Sequence, residues 1–271
     1  MERAEKKQFE SNRLGKRLKS MLKVDFRRMF TTPLFYIMTG ICLVIPILIL
    51  VMTTMMDGTV TVDPNTGVET TMEAFENTWQ IIGSVSGESA GMDMSLTGMC
   101  NINLLYFLVA VLVCLFVAGD FRSGYAKNLF AVRSKKGDYV ASKTLVGFTG
   151  GAFMLLAFFA GTMLGGAISG LSFDMGTAGA GGIVMCMLSK LFLVAVFVPI
   201  YVLMSVIGKQ KLWLSLLCSL CVGMLFFTIV PMMTPLNSTI LNVVMCLAGG
   251  VLFSMGMGAV SNKVLGKTSL V

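Results

Sequence analysis

The sequence predicts an all-α integral membrane protein: six transmembrane helices, an amphipathic interfacial helix ahead of them, and both termini in the cytoplasm. Three observations predict it. The 271 residues are 55% hydrophobic and only 13% charged, where a soluble domain carries roughly 25% charged residues. Apolar runs long enough for a bilayer, which needs roughly 20 residues per helix, recur along the chain. And 20 of the 21 Lys and Arg fall on one side of those runs, the asymmetry that orients membrane proteins with their basic segments in the cytoplasm.

Residues 1–33 form a basic tail that ends in the amphipathic segment. "NRLGKRLKSMLKVDFRRMFTTPLFY" places Leu14, Leu18, Met21/Leu22, Phe26 and Met29/Phe30 on a helical stripe that only Asp25 interrupts, with Lys and Arg on the other face. A helix of this kind lies in the membrane interface with its cations toward anionic headgroups. Pro33 marks the turn into the first span. That first apolar run follows a long charged segment and is too long for a signal peptide, so no secretory signal is expected.

The transmembrane domain covers 34–260, with spans at 34–56, 102–118, 144–171, 183–207, 213–231 and 239–260. The second is short, and the third is long enough to tilt. Pro46 and Pro199 are expected to kink the first and fourth spans. "GTMLGGAISG" puts Gly161/Gly165 and Gly166/Gly170 at GxxxG spacing, and Gly250/Ser254/Gly258 repeats it in the last span. Such spacing lets helix backbones approach closely. The external loop, 57–101, carries seven acids and no Lys or Arg. Within it, Thr70 and Glu73 have capping-box spacing, and Phe75, Trp79 and Ile82 share a face, so a short helix resting on the outer membrane surface is expected. The tail 261–271 returns to the cytoplasm.

Chemistry is bounded by absence. The chain has no His, which removes imidazole acid–base work and His metal sites. No Asp or Glu falls inside the six runs as drawn, against the acids or broken-helix ion sites common in self-powered transporters. Lys190 is the one ionisable residue well inside a run; it either snorkels outward or lines a cavity, a candidate pathway residue. The seven Cys lie mostly in apolar runs, where packing explains them. "CSLC" at Cys218–Cys221 has redox spacing, but no His and only apolar neighbours accompany it. Gly266, Lys267 and Thr268 imitate the end of a phosphate-binding loop, yet the required glycine is replaced by Ser261 and no room remains for the helix that would hold phosphate. No catalysis, cofactor or metal site is expected in this chain, and no nucleic-acid partner.

The cytoplasmic loop 119–143 is unusual. "FRSGYAKNLFAVRSKKGDYVASK" holds six Lys and Arg around aromatic and aliphatic residues. A helix from Gly124 to Val132 would place Tyr125, Leu129 and Val132 on one side, and Gly137 would break it. Charges alone indicate an ordinary cytoplasmic loop. Tyr125, Asn128, Leu129 and Phe130 go beyond that and suggest docking to a protein.

With its amphipathic "LKSMLKVDFRRMFTTPLFYI", six spans, "GYAKNLFAVRSKKGDYVASKTL" and "VLMSVIGKQKLWL", the chain resembles the permeases of the ABC type-2 exporter family over nearly its whole length. Gly124, Asn128, Leu129, Arg133, Ser134 and Lys143 match the family's loop pattern loosely. The resemblance implies a transport subunit of the plasma membrane. In it, Arg122, Tyr125, Asn128, Leu129, Phe130 and Arg133 would form a coupling helix in a cleft of a separate cytoplasmic ATPase, which would hold the ATP and Mg. Leu18, Leu22, Phe26 and Phe30 would mark the connecting helix, and a second permease, identical or paralogous, would complete the path for an amphipathic or hydrophobic substrate such as a peptide or antimicrobial. A self-powered transporter or channel, and a non-transporting sensor or immunity protein, are the alternatives.

Overall fold

The computed structural model describes residues 2–62, 69–71, 74–83, 101–132, 136–175, 179–209, 211–226 and 234–267. The chain is an all-helical multi-pass membrane protein. Its helices are α1 (Glu2–Thr31), α2 (Pro33–Met55), α3 (Leu104–Arg122), α4 (Tyr125–Val132), α5 (Lys136–Ser169), α6 (Gly179–Gly208), α7 (Leu212–Phe226) and α8 (Ile240–Lys267). Five of these, α2, α3, α5, α6 and α8, are long and apolar enough to cross a membrane. In α7, the expected fifth span, a mainly apolar helix of 15 residues is described, and the rest of that run, 227–231, lies outside the described residues.

Local chemistry sets the breaks. Thr32 is extended (φ −84°, ψ 128°) and Pro33 opens α2, a position where its missing N–H costs nothing. Thr32 Oγ1 donates to the Arg28 carbonyl (2.6 Å) and Tyr36 OH to the Phe30 carbonyl (2.9 Å), so the α1–α2 corner is closed by side chains. Gly124 has φ +75°, which a residue with a Cβ adopts only with strain. It lets α3 turn into α4 within two residues. Pro46 and Pro199 lie inside continuous helices.

α6 is the central helix: 72% of its most apolar stretch is buried, against 11% for α8. Two small-residue seams hold the bundle. On α5, a Cβ at Gly161 would run into the Leu43 carbonyl and Pro46 of α2, and one at Gly165 would lie 2.9 Å from the Ile47 backbone. On α8, a Cβ at Gly250 would lie 3.0 Å from Ala195 of α6, and Ser254 Oγ donates to the Ala195 carbonyl (3.4 Å). Gly258, expected in the same seam, faces open space, and Gly170 serves as a positive-φ turn at the end of α5 (φ +68°). Large apolar side chains on the outside of α2, α5 and α8, among them Ile37, Leu48, Leu156, Ile168, Leu241 and Leu252, are exposed. A bilayer is the solvent that suits such a surface.

The segment between α2 and α3 differs from expectation. Thr70 is not a helix cap: Glu69–Thr71 pairs antiparallel with Val60–Val62, and Glu73 lies outside the described residues. The capping box occurs later. Asn77 accepts from Trp79 N (2.9 Å), and Gln80 Oε1 accepts in return from the Asn77 N–H (3.4 Å). These caps start a 3₁₀ turn over Thr78–Ile81. Phe75, Trp79 and Ile82 do share a face, but that face is buried (6%, 5% and 1% exposed), not spread on the membrane. Thr78 packs on Gly166, where a Cβ would be excluded. Its N–H donates to the Ser172 carbonyl (3.0 Å), and Trp79 Nε1 to the Phe173 carbonyl (3.2 Å). The turn is a cap on the end of α5.

At the opposite end, α5 begins at Lys136, eight residues before the apolar run, so Gly137 sits inside a helix and does not break one. Lys136 Nζ donates to the Leu265 carbonyl near the end of α8 (2.6 Å), and Arg17 of α1 pairs with Asp138 (3.3 Å).

Candidate functional site

Where α1, α3, α4 and α5 meet, the bundle closes over four charges. Lys143 of α5 is fully buried, and its ammonium lies 2.8 Å from Asp25 Oδ1 of α1 and 2.7 Å from Asp120 Oδ2 of α3. Arg28, one turn beyond Asp25, lies 2.7 Å from Asp120 Oδ1 and 3.9 Å from Asp25 Oδ1. The remaining valences are filled by hydroxyls: Ser142 donates to Asp25 Oδ2 (2.6 Å), and Tyr139 to Asp120 Oδ2 (3.1 Å). Two anions thus meet two cations, and each carboxylate oxygen has a partner. Aromatic faces complete the shell. The Lys143 ammonium stands 4.1 Å from the centre of the Phe116 ring, and the Arg28 guanidinium 4.2 Å from that of Tyr125, both within cation–π reach.

Solvent access grades the four charges. Asp25, Asp120 and the Lys143 side chain are closed off, while the Arg28 side chain is 34% exposed. Partial burial pulls the Arg28 pKa down, and Asp120 more than reverses this, so the net shift is upward and the guanidinium stays charged. Burial raises the Tyr125 phenol, with Asp25 adding to the effect, so Tyr125 stays neutral beneath it. Chemically the arrangement is a clamp, fixing α1 against α3 and α5 with α4 leaning on its open side. Among the described residues no group of three or more His, Cys, Asp or Glu is placed to hold a metal.

The coupling residues expected from sequence divide by this geometry. α4 forms at Tyr125–Val132 as the pattern predicts. Tyr125 is spent beneath Arg28. Leu129 and Phe130 are partly buried against the chain's own core, with Phe130 edge-on to Tyr139 (5.2 Å). Arg122 and Asn128 are exposed, as is Lys127; Arg133 lies outside the described residues. On α1, Leu18 is half-buried, and Leu22, Phe26 and Phe30 are partly buried against the core. Phe30 meets Phe35 (5.0 Å) and Phe153 (5.8 Å) edge-on. The fully buried line of α1 is Met21, Asp25 and Met29. Asp25, read from sequence as an interruption of the stripe, is its centre.

The sequence reading missed the cluster because α3 runs four residues past its apolar run, carrying Asp120 inside a helix that seemed to end at Ala118. Two signals pointed to it. Asp25 stands on an otherwise apolar stripe, and Lys143 falls in register with Tyr139, Val146, Gly150 and Met154, the buried face of α5. An acid and a base on the inward faces of two helices are natural partners.

The second intramembrane charge is Lys190 of α6. It is 1% exposed, so its head does not reach water. It donates instead to Thr234 Oγ1 (2.9 Å) and the Thr234 carbonyl (3.3 Å), in the connection between α7 and α8. Of the Cys, those at 42, 114, 186 and 246 are buried and none of the six described is in a disulfide; Cys218 and Cys221 are unpaired members of α7.

No protein-family model, curated protein or solved structure matches this chain. Fold and surface define its class: a multi-pass membrane protein with a charge-locked helix junction at one end of the bundle.

Proposed function

We propose that this chain is the permease subunit of an ATP-driven exporter, with ATP and Mg held by a separate cytoplasmic ATPase and with no catalysis of its own. The observation that carries the reading is the junction. α4 is a short helix between two spans, and the four-charge cluster beside it ties α1, α3 and α5 together. A partner pressing on α4 would move these helices as one body, as transmission of ATP-driven closure requires.

In this reading both termini and α4 are cytoplasmic, the hairpin is external, and α7 is the fifth of six spans in the plasma membrane. Supporting it is the one-sided distribution of Lys and Arg. α1 lies along the inner leaflet, its exposed Lys16, Lys19, Lys23 and Arg27 toward anionic headgroups. Two permeases, identical or paralogous, form the path for an amphipathic or hydrophobic substrate. The docking face is the exposed polar side of α4, Lys127 and Asn128, with Arg122 beside it at the end of α3, while Leu129 and Phe130 seat α4 on its own chain.

The test is co-purification with the candidate ATPase, followed by ATP turnover and transport in proteoliposomes. Arg122→Glu with Lys127→Glu should lower assembly and leave the permease's thermal stability unchanged. Leu129→Ala with Phe130→Ala should lower both, by about 1–4 kcal/mol per buried anchor. Assembly indifferent to both pairs would refute α4 as the docking element. One observation favours a self-powered transporter: Lys190, a charge buried in a span. Transport by the chain without any ATPase would establish that alternative. Topology has its own check: on a Cys-free background, labelling of Ser134→Cys by an impermeant thiol reagent from outside intact cells would invert the orientation.

A further inference from the structure

Lys190 lacks what the chain supplies to Lys143. Its two described acceptors belong to one neutral residue, Thr234. Among the described residues no Asp or Glu lies within ion-pairing distance of it. An ammonium carries three donors and a full charge, and burying that charge without an anion is costly even when its hydrogen bonds are met. The adjoining Ser189 hydroxyl is also fully buried and has no hydrogen-bond partner among the described residues.

Apart from the Ser189 hydroxyl, its neighbours along α6 are apolar. Ile183, Leu193 and Val194 are buried beside it on α6. On α8, Cys246 is buried within electrostatic reach of Lys190, while the flanking Val244, Met245 and Leu247 are 51%, 54% and 43% exposed on the outside of the bundle. One thin helix therefore separates the ammonium from the lipid-facing surface. Tyr106 OH donates to the Lys190 carbonyl (3.4 Å), pinning the backbone so that the side chain is held toward Thr234.

We propose that Lys190, held in place by Thr234, is a binding subsite for an anionic oxygen group, a phosphate or a carboxylate, carried by an amphiphile that enters from the bilayer beside α8. The oxyanion takes the third ammonium donor and neutralises the charge, and the apolar walls accept the tail. The proposal rests on α6 spanning the membrane and not on any partner ATPase, so its failure and that of the exporter reading are separable.

The experiment uses the full chain in phosphatidylcholine nanodiscs. Its melting temperature is measured alone, with phosphatidylglycerol, with laurate, and with inorganic phosphate. Because the basic face of α1 also attracts anionic lipid, the quantity read is the wild-type shift minus that of Lys190→Met. An anionic amphiphile should raise the wild-type melting temperature by about 5 °C more than that of Lys190→Met at saturation. Lys190→Met should be at least as stable as wild type in phosphatidylcholine alone. Thr234→Val, which removes one acceptor and keeps the shape, should enlarge the shift. Response to phosphatidylglycerol alone assigns the site to a lipid phosphate, and response to laurate alone to a carboxylate amphiphile. Equal shifts in wild type and Lys190→Met overturn the proposal, as does an unchanged shift in Thr234→Val. A full effect from inorganic phosphate overturns the amphiphile.

Discussion

Lys143 and Lys190 are each about 1% exposed, yet they are held in opposite ways. Lys143 has two carboxylates, three aromatic rings within cation–π reach, and a further base to balance the second acid. Lys190 has one threonine. The first is complete within the chain: removing a member unbalances the charges that remain. The second is incomplete within the described chain, and removing it strands nothing. Burial alone therefore does not mark a functional charge. The partners do, because the desolvation cost is the same in kind for both and only one of the two is repaid internally.

Substitutions sharpen this contrast. Lys143→Met should do the most harm, since it leaves Asp25 and Asp120 facing each other in a closed site; breaking a buried pair costs about 3–5 kcal/mol. A fall in thermal stability or in folded yield from detergent checks it. Adding Asp25→Asn to Lys143→Met restores the charge balance, leaving Arg28 with Asp120, and should recover part of the loss. A double mutant as damaged as the sum of its singles would show that the cluster is not coupled.

Asp25→Asn alone should cost less, about 1–3 kcal/mol, because Lys143 retains Asp120 and the amide still accepts from Ser142. Its damage should also appear as easier proteolysis within α1, the helix Asp25 anchors. Arg28→Ala should cost about 1 kcal/mol or less, because the side chain is one-third exposed and its pairing is screened. The loss should shrink as salt rises, and an effect as large as that of Lys143→Met would place Arg28 inside the closed site. Smallest of all, Lys190→Met in a neutral bilayer should leave stability unchanged or slightly higher. A loss of several degrees in melting temperature would show Lys190 to be a structural ion like Lys143.

The outlines of this chain were legible because they depend on short-range chemistry. A run of apolar residues specifies a span. Pro33 marks a corner, where Thr32 is extended, whereas Gly124, expected as the first residue of the loop helix, is instead the positive-φ turn ahead of it. Each of these is decided within one or two helical turns, and the seam at Gly161 and Gly165 follows from spacing along a single helix. The capping box had a local signature at Thr70 and Glu73, yet it formed at Asn77 and Gln80. Thr70 was drawn instead into a strand opposite Thr61, and Asn77 took the role where its turn docks on Gly166 and the carbonyls of Ser172 and Phe173.

What sequence by itself determined is therefore the apolar lengths, the one-sided basic charge, the existence of α4 and the place of Asp25 on the apolar stripe of α1. What only the tertiary structure decided is which charges meet. Asp25 and Lys143 are 118 positions apart in the chain, and Asp120 joins them only because α3 continues past its apolar run. The same packing turned Phe130 and Trp79 inward and left Lys190, among the described residues, with Thr234 as its hydrogen-bond acceptor. A residue's local pattern fixes which face of its helix it occupies. Whether a partner or nothing stands opposite that face depends on how separate helices pack, and that is set by the sum of contacts across the bundle, not by any segment of it.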